Sequence, residues 1–135
     1  MITAVDTNVL IDVLGADPRF GPASRSALRT CLNDGVVIAC DVVWAEVIAA
    51  FPDVAATEAA LSRLPVAFSG MSQAAATKAG IAWRAYRQAG GPRERLMTDF
   101  AVGAHALAHA DRLLTRDRGF QRAAFEGMTI IDPSG

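Results

Sequence analysis

The 135-residue sequence predicts an α/β fold in three layers, a central parallel sheet covered by helices on both faces. Three observations predict it. Short apolar runs alternate with longer helix-like segments, giving repeated β-then-α units. Gly, Pro and Asp punctuate the junctions between those segments. The length, with 52% hydrophobic and 20% charged residues, suits one globular domain over residues 1–135 with a sizeable core, and is too short for two.

Taken in order, ITAV (2–5) is the first strand and a helix follows over roughly 7–14, with Asp6 placed to cap it. GADPRFGP (15–22) is a loop, and a helix from Ala23 to about Asn33 closes at the Asp34-Gly35 stop. VVIA (36–39) is the second strand. It leads to a helix from about Val42 to Ala50 that ends before Pro52, and a further helix covers roughly 53–63. Pro65 opens a short strand at VAF, and a long helix runs from about Ser72 to Gln88. AGGPRER (89–95) is irregular, marked by Gly90, Gly91 and Pro92. A helix covers Asp99 to Ala110, RLLT (112–115) is the fourth strand, GFQRAAF holds a short helix, and MTII (128–131) is the last strand.

A net charge of −1 predicts no strong general attraction to nucleic acid or a membrane surface, although a local patch can act inside a balanced total. Lys78 is the one lysine, which leaves little room for a mechanism that needs a lysine near phosphate. Cys31 and Cys40 form no C-x-x-C pair, and Asp6 and Asp12 interrupt the N-terminal apolar run, so neither a disulfide framework nor a signal peptide is indicated. The longest apolar stretch, VVIACDVVWAEVIAAF, contains Asp41 and Glu46 and is a poor membrane span. The expectation is a reducing, cytoplasmic setting.

The acids carry the functional signal. Asp6 follows the first strand and Asp117 the fourth, so both belong at carboxyl ends on one edge of a parallel sheet, where open α/β sheets form their ligand crevice. Asp99 opens the helix that feeds the fourth strand, and its first turn belongs near the same crevice. Each of the three is also a favourable acid at a helix N-terminus, worth roughly 0.3–1 kcal/mol there. Glu46 lacks that explanation. An amphipathic reading of VVWAEVIAA places Val42, Val43, Ala49 and Ala50 on or beside its face, and the alternative is a surface Glu at the edge of the apolar stripe.

Clustered carboxylates raise one another's pKa and remain anionic when a cation stands among them. Oxygen ligands suit a hard divalent ion, Mg²⁺ or Mn²⁺. Such a site activates water and stabilises charge on a phosphodiester, so metal-dependent phosphodiester hydrolysis is the natural hypothesis.

VDTNVL at 5–10, the acid in WAEV at 44–47, DFAVGAHALAHADRLLTRDRGF at 99–120 and TIIDP at 129–133 together resemble a PIN-domain ribonuclease of the VapC toxin type, and the resemblance runs the length of the chain. It implies a small α/β/α fold, an acidic Mg²⁺ or Mn²⁺ site and single-stranded or loop RNA as substrate. It assigns Asp6, Glu46, Asp99 and Asp117 to an acidic quartet, with Asp41 a rival to Glu46. It makes Thr115 a hydroxyl near the reacting water and Asn8 a support for the Asp6 loop. It also implies a cognate antitoxin partner, whose Arg or Lys would close an acidic pocket, and a homodimer, which Trp44, Phe51, Phe68 and Trp83 also suggest as apolar surface beyond one small core.

Arg93 and Arg95, with Arg116 and Arg118 flanking Asp117, are candidates for a basic rim that holds RNA phosphates; solvated arginines paired with nearby acids are the alternative. His105 and His109 have the i,i+4 spacing of a zinc helix, but the Glu of H-E-x-x-H and a third ligand are missing, so packing or a hydrogen bond in a helix interface is expected of His105. Trp44 and Trp83 lie on helices and are expected in the core or an interface rather than under bases. A phosphorylated receiver module would need a lysine after a late strand, and a haloacid-dehalogenase-type phosphatase a second Asp two residues after Asp6; the sequence has Lys78 on the middle helix and Asn8. The remaining rival is a catalytically inactive binding module on the same fold.

Overall fold

The structure, a computed structural model, describes residues 1–92, 95–117, 119 and 124–134. Its elements are β1 (Ile2–Val5), α1 (Thr7–Leu14), α2 (Gly21–Asp34), β2 (Val36–Cys40), α3 (Asp41–Ala50), α4 (Val54–Arg63), β3 (Ala67–Ser69), α5 (Gln73–Gln88), α6 (Met97–His109), β4 (Arg112–Leu114) and β5 (Thr129–Ile131). The strands form one parallel sheet in the order β3-β2-β1-β4-β5. The predicted α/β class and parallel sheet are therefore observed.

β1 and β2 are buried beyond their first residues because both faces of a parallel sheet are covered by helices. The edge strands β3 and β5 are more open. From β1 the chain steps to β2 and β3 on one side, then crosses to β4 and β5 on the other. The connections thus run in opposite directions from β1; α1 packs on α2 and α3, and α5 packs on α6. The same reversal splits the connections that leave β1 and β4, which opens a crevice at their carboxyl ends. α6 lies against β1 and β4 and also packs on α5. It is buried from Phe100 through Ala106, which its small Ala and Gly side chains permit.

Several boundaries differ from expectation. α2 starts at Gly21, two residues before the predicted start, because Pro22 stands in its first turn, where the missing N–H costs nothing. α6 starts at Met97, so Asp99 is its third residue instead of its first. β3 runs to Ser69, paired with Cys40. Gly35 ends α2 where a side chain would run into the backbone of Met1, so glycine is required for the chain to turn directly into β2. The short helix expected in GFQRAAF falls largely outside the described residues. Among the described residues, no helix is long and apolar enough to cross a membrane.

Candidate functional site

The crevice is built from backbone outward. β1 and β4 pair through Val5 and Leu114, and the pairing continues one step, Asp6 N–H donating to the Leu114 carbonyl at 2.9 Å. On the other side, Thr115 N–H donates to the Ile131 carbonyl at 3.0 Å. The sheet thereby fixes Asp6 and Thr115 as the first residues past its edge.

Asp6 caps α1. Its Oδ1 accepts the Thr7 N–H at 2.7 Å, and its Oδ2 accepts the Thr115 hydroxyl at 2.7 Å. The capping role and a place in the crevice are thus held by one carboxylate. The Thr115 oxygen also accepts the Asp117 N–H at 3.0 Å and Asn8 Nδ2 at 3.4 Å. With its proton on Asp6 and its oxygen accepting from Asp117 and Asn8, Thr115 joins the two loops. Asn8 joins the same junction, its Oδ1 accepting the Arg116 N–H at 3.1 Å.

Burial pushes the Asp6 carboxyl above its usual 3.8, and the charges of Asp117 and Asp99 push it the same way, against the hydrogen bonds from Thr115 and Thr7. Asp117 moves oppositely. The Arg95 guanidinium grips both of its oxygens and holds it below 3.8. Asp99 stands at the start of α6, its Oδ2 accepting the Leu96 N–H at 2.9 Å. Burial-driven destabilisation of an anion, with two further anions close by, is the electrostatic condition that a hard cation relieves.

Glu46 is exposed on α3. The apolar side of α3 is instead Val43 and Val47, and Ala49 and Ala50 are exposed, so the amphipathic reading of that segment is corrected to a surface glutamate. Glu46 is nonetheless tied to the site, because its Oε1 accepts the Thr7 hydroxyl at 2.8 Å while the Thr7 N–H serves Asp6. Asp41, its rival, opens α3 with its carboxyl on its neighbour Val42 N–H at 3.3 Å and adds charge near His105 and Cys40.

The proposed basic rim is placed differently. Arg95 lies in the acidic crevice on Asp117. Arg116 turns away from it, donating through Nε and Nη2 to the two oxygens of Asp12 at 2.9 and 3.0 Å and stacking over Phe20 at 4.0 Å. Arg93 and Arg118 lie outside the described residues. Asp12, the acid that interrupts the N-terminal apolar run, is buried and also accepts the Ser24 hydroxyl at 2.7 Å. The signal for it was an acid inside the apolar helix NVLIDVL, which demands a cationic partner.

His105 and His109 are engaged elsewhere. Their Nε2 atoms bond Ser69 and Ser72 hydroxyls, each at 3.0 Å, clamping the end of β3 and the start of α5 to α6. Trp83 packs with Tyr86 and Phe100, whereas Trp44 meets the half-exposed Phe68 edge-on at 5.6 Å.

The donor set at the crevice is all oxygen and suits Mg²⁺ or Mn²⁺, with Asp6, Asp99 and Asp117 as the residues that would hold the ion. Among the described residues, no three acids are already disposed as ligands of one ion.

The PIN-domain family model matches residues 3–126. The chain belongs to the PIN-domain family. Solved structures similar to this PIN domain include VapBC2 from Rickettsia felis bound to a DNA fragment from its promoter, at 16% identity over 98% of each chain and a TM-score of 0.76. Others are DNA-bound VapBC from Salmonella typhimurium, at 22% identity over 98% of each chain and a TM-score of 0.73, and a toxin–antitoxin complex from Klebsiella pneumoniae, at 21% over 97% of each and 0.69. At these identities the likeness is one of fold. No curated protein matches the sequence significantly.

Proposed function

We propose that this PIN domain is a Mg²⁺- or Mn²⁺-dependent endoribonuclease that cleaves single-stranded or loop RNA and acts as the toxin of a toxin–antitoxin pair. The observation that supports the proposal is that Asp6 and Asp117 follow the paired ends of β1 and β4 and are joined through Thr115, with the charges of Asp117 and Asp99 both raising the Asp6 pKa. Asp6, Asp99 and Asp117 would hold a divalent ion there, which would supply positive charge for the phosphodiester in flight and acidify a water. The chain's own part is positioning. Thr115 and Thr7 fix both oxygens of Asp6, the Leu96 N–H fixes Asp99, and Asn8 ties the Arg116 backbone to α1. Glu46, linked to Asp6 through Thr7, is favoured over Asp41 as the fourth acid.

The partner proposals rest on the same site. An acidic crevice is closed by an Arg or Lys side chain from an antitoxin peptide, and the similar solved structures include a toxin–antitoxin complex. Exposed Phe68 and Ile81 support a homodimer, which light scattering at micromolar concentration would detect. Cys31 and Cys40 are both buried and free, which agrees with a cytoplasmic setting.

A second reading, an inactive binding module, is favoured by one observation: Arg95 already neutralises Asp117. Induction of the chain in a bacterial host separates the two. The nuclease arrests growth, Asp99→Asn relieves the arrest, and co-expression of the cognate antitoxin does the same; harmless expression of the wild-type chain without a partner favours the binding module.

A further inference from the structure

We propose that Arg95 is a resident competitor of the divalent cation, a positioning residue whose guanidinium must leave Asp117 before that carboxylate can serve as a full metal ligand. The inference rests on the metal-site proposal above. Its basis is the occupancy of Asp117. Oδ1 accepts Arg95 Nη2 at 2.9 Å and the Gly119 N–H at 3.0 Å, and Oδ2 accepts Arg95 Nη1. A carboxylate offers about four lone-pair sites, so three are in use and the fork geometry fixes the plane of the fourth.

The arrangement is built rather than incidental. Both partners are largely covered, with side-chain exposures of 16% for Arg95 and 29% for Asp117. Position 119 is glycine, and a Cβ there would collide with Arg95 Nη2 while meeting Asp117 Oδ1 only at an ordinary 3.6 Å. Arg95 also adjoins Leu96, whose N–H holds Asp99, so the cation and the second acid are set by the same turn of chain before α6. A guanidinium anchored among carboxylates opposes any second cation by charge as well as by occupancy. The two are linked by a reciprocal coupling: whatever factor Arg95 takes from metal affinity, the metal takes from the Arg95–Asp117 pair.

The test is Mn²⁺ binding to the full chain, read from the electron paramagnetic resonance signal of free Mn²⁺, alongside thermal melting with and without Mn²⁺. Arg95→Gln is expected to melt below wild type without metal, to bind Mn²⁺ about tenfold more tightly, and to gain more from saturating Mn²⁺ than wild type does. Gly119→Ala, which displaces the guanidinium but keeps its charge, is expected to shift affinity in the same direction by a smaller factor. A merely structural arginine would lower melting equally with and without Mn²⁺. Wild-type binding with unchanged or weaker affinity in Arg95→Gln overturns the competitor role and leaves the metal site standing. Failure of both wild type and Arg95→Gln to bind Mn²⁺ overturns the metal site, and the competitor role with it.

Discussion

The Thr115 hydroxyl donates to Asp6 Oδ2 at 2.7 Å, across 109 residues of sequence, and makes the loops after β1 and β4 one structure. The first prediction follows from its saturated bonding. Thr115→Val keeps the shape of the side chain but strips a donor from Asp6 and an acceptor from the Asp117 N–H and Asn8. Unsatisfied groups of this kind cost about 1–3 kcal/mol, which urea unfolding will register. Thr115→Ser should recover most of the loss, and equal destabilisation by Val and Ser would refute the hydroxyl's role.

A second ion pair ties α1 to the loop after β4. Asp12 is nearly inaccessible, and Arg116 keeps 29% of its side chain exposed. Asp12→Ala should therefore fall at the lower end of the range for breaking a buried pair, about 3 kcal/mol, since Arg116 can reach water and Ser24 loses its acceptor. Asp12→Asn should cost less, because Ser24 keeps an acceptor. Chemical denaturation of the three proteins checks the order, and an unaltered Asp12→Ala would contradict it.

The raised pKa of Asp6 sets a pH dependence. With the folded value above the unfolded 3.8, the contribution of Asp6 to stability is fully present below 3.8 and is lost as pH rises through the folded value. Asp6→Asn is uncharged at every pH and keeps one oxygen to accept the Thr7 N–H, while its amide nitrogen takes the place of the oxygen that accepts from Thr115. In EDTA, Asp6→Asn should melt above wild type at neutral pH, and the two curves should converge as pH falls toward 3.8. A variant that melts below wild type at neutral pH would show that the carboxylate stabilises the fold.

His105 supplies the contrast. Burial, and then the neighbouring His109, hold its pKa below 6.5, with Asp41 opposing. Its contribution to stability is complete above 6.5 and is lost as pH falls through the lowered value. His105→Ala should lower melting at pH 8 through the cavity and the lost Ser69 bond, lose less on acidification, and leave Mn²⁺ affinity within about twofold because the site is separate. A large fall in Mn²⁺ affinity would place His105 in the site.

The parts of this fold that are legible in sequence are those whose cause is local. ITAV followed by Asp6, and RLLT followed shortly by Asp117, announce strand ends and acids on one edge, because a parallel sheet places every carboxyl end alike. In sequence Arg116 flanks Asp117, whereas Arg95 stands in the GGPRER loop, and charge alone groups the two. Their true partners, Asp117 at 22 residues and Asp12 at 104, are set by tertiary placement. The exposed position of Glu46 is not decided by sequence, because α3 is so rich in Ala and Val that it has no clear polar side. The bridge from Glu46 to Asp6 runs through Thr7, a residue that sequence alone presents as an ordinary opener of a helix.

The central claim is that the carboxylates of the crevice serve a cation and an RNA phosphodiester rather than the fold. Cleavage of a mixed single-stranded RNA by wild type, Asp6→Asn and Asp99→Asn, in Mn²⁺ and in EDTA, tests it most directly. The account predicts Mn²⁺-dependent cleavage by wild type, abolished by EDTA, and a fall of about 10²-fold or more in each variant while both remain folded. Cleavage that persists in EDTA, or full activity in both variants, would contradict it.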